Sequence, residues 1–278
     1  MSLFSVNTNV GAMIALQSFH AISDEMAEVQ NRISTGLKVA GPKDNPAVWA
    51  IAQNQRGESR ALDAVMASLQ RGQSIASVAI TAGESISDLL SQMKVLAISV
   101  LDYPPGDPSR QALSENYVAL RRQIDMTANN ATFGGANLIA AGSTGQVRAL
   151  ANSKATETID IAHVDLSTSG AALAGVPADL TGVLTAAEID SLTNGISAVN
   201  SAVSKLGTGS KALDTHLTFI GKLQDTIDAG VGALVDADMA KEAARMQALQ
   251  VRMQLALMSL RIANEAPSLL LQLFRLNR

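Results

Sequence analysis

The chain has 278 residues, enough for one or two domains with a real core, and a formal net charge of −4. That balance disfavours a nucleic-acid partner, which asks for a basic stripe, and the absence of cysteine excludes a disulfide scaffold and thiolate metal sites. Hydrophobic residues make up 47% but aromatics only 3%, so closely packed helices rich in Ala, Leu and Val are expected rather than a large aromatic core.

The N-terminal segment, MSLFSVNTNVGAM, shows no basic region followed by an apolar run, and an ordinary secretion signal is not expected. No segment approaches the ~18 uninterrupted apolar residues of a membrane span. The first helical stripe is Phe19, Ile22, Met26, Val29 and Ile33, spaced alternately by three and four residues. Such spacing makes the narrow seam of helices packed nearly parallel, as in coiled coils and bundles. Asn45-Pro46 then predicts a helix start, a cap residue followed by proline at the first helical position. Leu62, Met66, Leu69, Gln73, Ala76 and Ile80 carry the stripe onward, followed by Ile86, Leu89, Met93, Leu96 and Val100. YPPGDPSR breaks this helix, Asp107-Pro108 opens the next, and Leu113, Tyr117, Leu120 and Ile124 form its shorter stripe.

Residues 131–184 are rich in Gly, Ser and Thr, and the alternating run ETIDIAHV reads as part of one or two β-hairpins among loops. Thr185 to Glu188 fits a capping box before Ile189, Leu192, Ile196, Val199, Val203 and Leu206. That stripe continues through Leu213, Leu217, Ile220 and Ile227. Gly207 to Lys211, GTGSK, lacks the spacing of a phosphate loop and falls inside this stripe, so it reads as a helix irregularity. Asp236, Asp238 and Glu242 crowd the start of the last helix, where they complement the dipole and cap rather than form a catalytic pair. Its seam is Met246, Leu249, Met253, Ala256, Leu260 and Ala263. Pro267 is expected to end or bend the helix before the apolar cluster Leu269, Leu270, Leu271, Leu273 and Phe274. The fold class is therefore mainly α: long antiparallel helices and a terminal coiled coil, with a small β-hairpin region at midchain.

Chemistry is sparse. His20, His163 and His216 lack helical or metal-ligand spacing, and the serines lack a nucleophile-elbow context or a histidine partner. No enzyme, metal or cofactor reading follows. Met26, Met66, Met93, Met246 and Met253 fall on seams and read as packing, and Trp49 reads as an anchor between helices. A lone helix over residues 236–278 could not stand: ordering costs ~1–2 kcal/mol per residue, whereas each buried seam side chain returns only ~1.5–3 kcal/mol. Leu3, Phe4, Leu255, Leu257 and Met258 lie off the seams at the two ends, so these ends are expected to become ordered inside an assembly.

Three segments carry a family resemblance: SVNTNVGAMIAL (Ser5 to Leu16), QNRISTGLKVAGPKDNPAVWAIAQ (Gln30 to Gln53) and VDADMAKEAARMQALQVRMQLALMSLRIANEAPSLLLQLFR (Val235 to Arg275). They closely resemble bacterial flagellin, and TFGGANLI (Thr132 to Ile139) looks like its midchain hairpin segment. The likeness covers roughly residues 1–140 and 185–275 and is nearest to the short alphaproteobacterial flagellins that lack large outer domains.

The resemblance implies a structural subunit that self-assembles helically into the flagellar filament for swimming motility. Residues 1–44 plus 236–278 would form the terminal coiled-coil core domain, and 45–235 a helical rod domain with β-hairpins at about 131–184. The implied polymerisation core is Phe19, Ile22, Met26, Val29, Ile33, Leu249, Met253, Leu260, Leu270 and Phe274. The implied partners are other copies in a homopolymer, sister flagellins, the flagellar type III export apparatus, a secretion chaperone, and the hook-associated and cap proteins, with no nucleic acid and no membrane. The implied location is extracellular, in the filament, reached without a cleaved signal peptide. Ser167, Thr168 and Ser169 are the candidates for the O-linked sugars that similar flagellins carry. In the stretch aligned with the family's Toll-like-receptor epitope, Gln92 and Val95 replace an arginine and a glutamate, which implies weak receptor activation. Pro46, Trp49 and the tail Leu276-Asn277-Arg278 depart from the family pattern. The alternatives are the hook–filament junction protein and a membrane-active amphipathic-helix protein, although the latter favours a strongly basic polar face and these ends are mixed in charge.

Overall fold

The computed structural model describes residues 8–142 and 145–275, with side chains as far as Glu265. Among the described residues the regular structure is five helices, one 3-10 turn and one two-stranded sheet.

The helix boundaries follow the capping chemistry. Asn9 accepts from the Ala12 amide at 3.0 Å and opens α1 (Val10–Thr35), which Gly36 closes in a left-handed conformation at φ 72° while its N–H bonds the Arg32 carbonyl. Asn45 accepts from the Val48 amide at 3.1 Å ahead of α2 (Pro46–Ser99), and the 3-10 turn Val100–Asp102 follows. Asp107 caps α3 (Pro108–Asn130), with proline in its first turn. Glu188 reaches back to the Thr185 N–H at 2.7 Å and holds the start of α4 (Ala186–Val235). Asp238 accepts from the Ala240 and Lys241 amides at the start of α5 (Met239–Arg275).

Helix α5 does not end at Pro267. Proline removes a single intrahelical donor, the one that would bond the carbonyl four residues earlier. That carbonyl is Ala263's, and it takes another donor.

The midchain holds one hairpin, β1 (Val147–Leu150) antiparallel to β2 (Thr158–Ile161), with Val147 opposite Ile161 and Leu150 opposite Thr158. A second, smaller reversal is a single bridge between Phe133 and Ala136 across Gly134 and Gly135, both at positive φ. The remainder of 162–185 is loop, but it is packed loop: Leu166, Leu173 and Leu180 are buried. Polar groups on α3 hold it. Asp125 accepts from the Thr168 amide and hydroxyl, both at 2.8 Å, and Tyr117 donates to the Pro177 carbonyl at 3.0 Å. Burial pushes the Tyr117 phenol above the ordinary tyrosine range.

The chain divides into two compact units, Met1–Gly57 with Ile227–Arg278, and Glu58–Thr226. Within Glu58–Thr226, α2 and α4 run antiparallel. Gln224 donates to Asp63 at 2.8 Å, Gln73 to Asp214 at 3.5 Å and Ser87 to Asn200 at 2.9 Å. The buried residues Leu62, Leu69, Ala76, Ile86 and Met93 on α2, and Leu192, Val199, Leu206, Leu213 and Ile220 on α4, make this unit's core.

Two helical glycines mark close approaches. A Cβ on Gly83 would lie 2.5 Å from Val203 Cγ2, and one on Gly209 would lie 3.0 Å from Ile161 Cγ1. GTGSK is therefore unbroken α-helix rather than an irregularity, and its second glycine makes room for the hairpin. Gly83→Ala is expected to cost about 1–3 kcal/mol through overpacking against a β-branched neighbour. Gly83→Ala with Val203→Ala should recover much of that loss in urea denaturation, as expected of directly coupled sites.

In the other unit, Val39, Ala52, Val231 and Val235 form a buried cluster against which Leu37, Val48, Trp49, Ile227 and Leu234 pack. The single tryptophan thus anchors helices, as its position after a capped start implies.

Candidate functional site

Helices α1 and α5 pack along one another, antiparallel, and this pairing is the candidate site. Among the described residues no group of three or more His, Cys, Asp or Glu is arranged to hold a metal, and no helix is long and apolar enough to cross a membrane. His163 and His216 each donate a ring N–H to a main-chain carbonyl, of Ala140 at 2.9 Å and Ala151 at 2.7 Å. His20 lies edge-on to Phe19, with ring centroids 6.0 Å apart.

The pairing starts where α1 ends. Ala237 donates its N–H to the Gly36 carbonyl and Lys38 to the Val235 carbonyl, both at 2.8 Å, a short ladder that brings the start of α5 beside the end of α1. Charged pairs come next. Arg32 binds Glu28 on its own helix and reaches Glu242 Oε1 at 3.4 Å on α5; Arg245 binds Glu25. Hydrogen bonding to Glu25 raises the already high pKa of the Arg245 guanidinium. At the far end of the described pairing, the Asn9 amide donates to the Ala263 carbonyl at 2.7 Å.

Between these polar ends the seam is apolar. Val29 and Leu249 are each 1% exposed, and Ala15 and Ala256 are also buried. Phe19, Ile22, Met26, Ile33, Met253 and Leu260 are half-buried in the same stripes. Glu242 occupies the α5 stripe one heptad before Leu249 and is itself buried, its second carboxylate oxygen without a partner. A carboxylate there is tolerated because Arg32 compensates it. Leu270 and Phe274 lie on α5, and their side chains fall outside the described residues.

A second set of apolar side chains faces away from the seam. Val10, Met13, Ile14 and Leu16 on α1 are 44–63% exposed, and Val251, Leu255, Leu257, Met258 and Ile262 on α5 are 50–69% exposed. Large apolar side chains clustered and exposed on a helix face mark a site of association. Sequence spacing selected the seam and only part of this outer set, because a heptad stripe identifies one partner face at a time.

The candidate modification sites occupy three different environments. Ser167 is 2% exposed and shares a hydrogen bond with Ser169, Thr168 spends its hydroxyl on Asp125, and Ser169 is exposed.

The family description "Bacterial flagellin N-terminal helical region" matches residues 6–144, and "Bacterial flagellin C-terminal helical region" matches residues 189–274. The chain is 45% identical to flagellin FljK of Caulobacter vibrioides over 99% of its own length and 100% of that protein's. Flagellin FljM of the same organism is 43% identical, with 99% and 100% covered. A flagellin of Brucella melitensis is 30% identical, with 98% and 99% covered. None of these matches favours the hook–filament junction alternative. The chain belongs to the bacterial flagellin family, the structural subunits of the extracellular flagellar filament.

Proposed function

We propose that this flagellin polymerises through its paired terminal helices, with α1 and α5 forming the inner core of the filament. The observation that carries this reading is the apolar set left exposed on both helices, from Val10 to Leu16 and from Val251 to Ile262. Other copies of the chain supply its burial, at ~25 cal/mol per Å2 of apolar surface removed from water. The core domain is residues 1–44 plus 236–278 and the rod 45–235. The compact unit around the core reaches further, to Gly57 and Ile227, because Trp49, Ala52 and Val231 belong to its apolar cluster. Purified subunit added to short filament seeds tests the reading: long filaments from this chain alone support it, and seeds that fail to grow overturn it.

Sister flagellins are further proposed partners, together with the hook-associated and cap proteins at the filament's ends. Export through the flagellar type III apparatus, with a cytosolic chaperone covering α5, fits a helix whose apolar face has to wait for assembly. Of the sugar-site candidates, Ser169 is favoured by its exposure, its hydroxyl sharing only the bond to Ser167, whereas Ser167 is buried and Thr168 is tied to Asp125. Intact mass of filaments from the native host should fall by the glycan mass in Ser169→Ala; an unchanged mass removes the assignment.

A further inference from the structure

The apolar seam between α1 and α5 does not specify its own register. On α5 the stripe repeats as Leu249, Ala256 and Ala263 with Met246, Met253 and Leu260 between, and on α1 as Ala15, Ile22 and Val29 with Phe19, Met26 and Ile33 between. Sliding one helix by a heptad, about 10 Å, returns seam positions to seam positions. Something polar has to distinguish the correct pairing.

The ladder and the Arg32 and Arg245 ion pairs do so at one end, and a proline does so at the other. Within α5 each carbonyl is normally taken by the N–H four residues on, but Pro267 has no N–H, and the carbonyl it leaves without that bond is Ala263's. That carbonyl receives the Asn9 amide at 2.7 Å. The same Asn9 accepts the Ala12 N–H through its other side-chain atom and so caps α1. One residue therefore begins one helix and finds the single carbonyl on α5 that a proline has released. After a one-heptad slip Asn9 would face the carbonyl of Ala256, already claimed by the Leu260 N–H.

We propose that Asn9 and Pro267 form a register latch: the proline opens an acceptor at Ala263, and the asparagine reads it to fix where α1 pairs on α5. This rests on the proposed role of the two helices in the filament core, and it goes beyond that role in assigning the positioning residues. The latch acts at the end of the pair opposite the Gly36–Ala237 ladder and the Arg32–Glu242 bridge, so the register is set at both ends.

The absence of native cysteine gives a direct readout. A Cβ on Gly11 lies 3.8 Å from Ala263 Cβ, at the mean spacing of a disulfide. The full-length Gly11→Cys/Ala263→Cys chain reports native register, and Gly11→Cys/Ala256→Cys reports the slipped one. Asn9→Asp keeps the cap but loses the amide donor. It is expected to slow native-pair crosslinking about two- to tenfold, the usual share of one net hydrogen bond, and to raise the slipped crosslink. Pro267→Ala, which returns an N–H to the Ala263 carbonyl, should do the same. Asn9→Asp combined with Pro267→Ala should be no worse than Pro267→Ala alone, because the two act on one bond. Helical content by circular dichroism separates loss of register from loss of helix. Native crosslinking by Asn9→Asp at the parent rate, or losses that multiply in the combination, would overturn the latch. If all three variants are equally slow but seeded growth of the parent also fails, the filament-core reading fails instead.

Discussion

Leu249→Asp is expected to abolish seeded filament growth and to loosen α5 from α1 in the free subunit. Leu249 is 1% exposed in the seam, and an aspartate there would be a buried charge without a partner, a cost of about 3–5 kcal/mol. Arg32 cannot relieve it, since its guanidinium is engaged with Glu28 and Glu242. The informative comparison is Met258→Asp. Met258 is 62% exposed, so the free subunit should change by no more than about 0.5 kcal/mol in stability. In the filament the same aspartate would meet apolar surface of another copy, and growth should stop. Thermal unfolding of the monomer and electron microscopy of seeded growth then read folding and assembly apart. Long filaments from Met258→Asp would remove the outer apolar set from the assembly interface; filaments from Leu249→Asp would remove the seam.

The parts legible in the sequence are those governed by local rules. Spacings of three and four residues located the stripes because a helix face repeats with that period. Asn45, Asp107 and Asp238 announced helix starts because their short side chains satisfy amides that no helical carbonyl reaches. The midchain reading was coarser. ETIDIAHV alternates over eight residues, yet β2 takes only Thr158–Ile161 from it, because pairing ends where β1 ends.

Nonlocal accommodation stayed hidden. GTGSK looked like a defect in a helix; its second glycine is fitted to Ile161, some fifty residues earlier. Pro267 reads as a stop or a bend; α5 continues past it, and the carbonyl it frees is satisfied by Asn9 from the opposite end of the chain. Glu242 read as a first-turn acid complementing the dipole, which it is, and its partner Arg32 was not foreseen. In each case one residue's environment is completed by another far away, and no window of sequence contains both. The candidate site was legible to the extent that it is periodic. The seam followed from spacing, whereas Val10, Ile14, Val251 and Ile262 emerged only once the seam's direction was fixed.

Arg110→Ala is expected to be strongly destabilising within the Glu58–Thr226 unit. Arg110 is 4% exposed in the first turn of α3, and its hydrogen-bond partners are all main-chain carbonyls. Nε donates to Leu180 at 3.1 Å, one terminal nitrogen to Val100 at 3.3 Å and Tyr103 at 2.8 Å, and the other to Gly182. The guanidinium thus joins the end of α2 and its 3-10 turn to the last stretch of loop before α4. Removing it leaves carbonyls from two separate segments without that donor, at about 1–3 kcal/mol for each that water cannot reach. A total loss of about 3 kcal/mol or more is expected in urea denaturation. Arg110→Lys should recover only a minor part, because an ammonium offers three donors from one point and cannot span carbonyls on both sides as the planar fork does. Hydrogen exchange should show the loss first at the Leu180 amide, which bonds Ser114 at 3.0 Å and stays ordered only while the loop is held. A stability change below about 1 kcal/mol for Arg110→Ala, or full recovery by lysine, would show that this loop is held without the Arg110 fork, by Leu173 and Leu180 packing and the Tyr117, Asp125 and Ser114 hydrogen bonds.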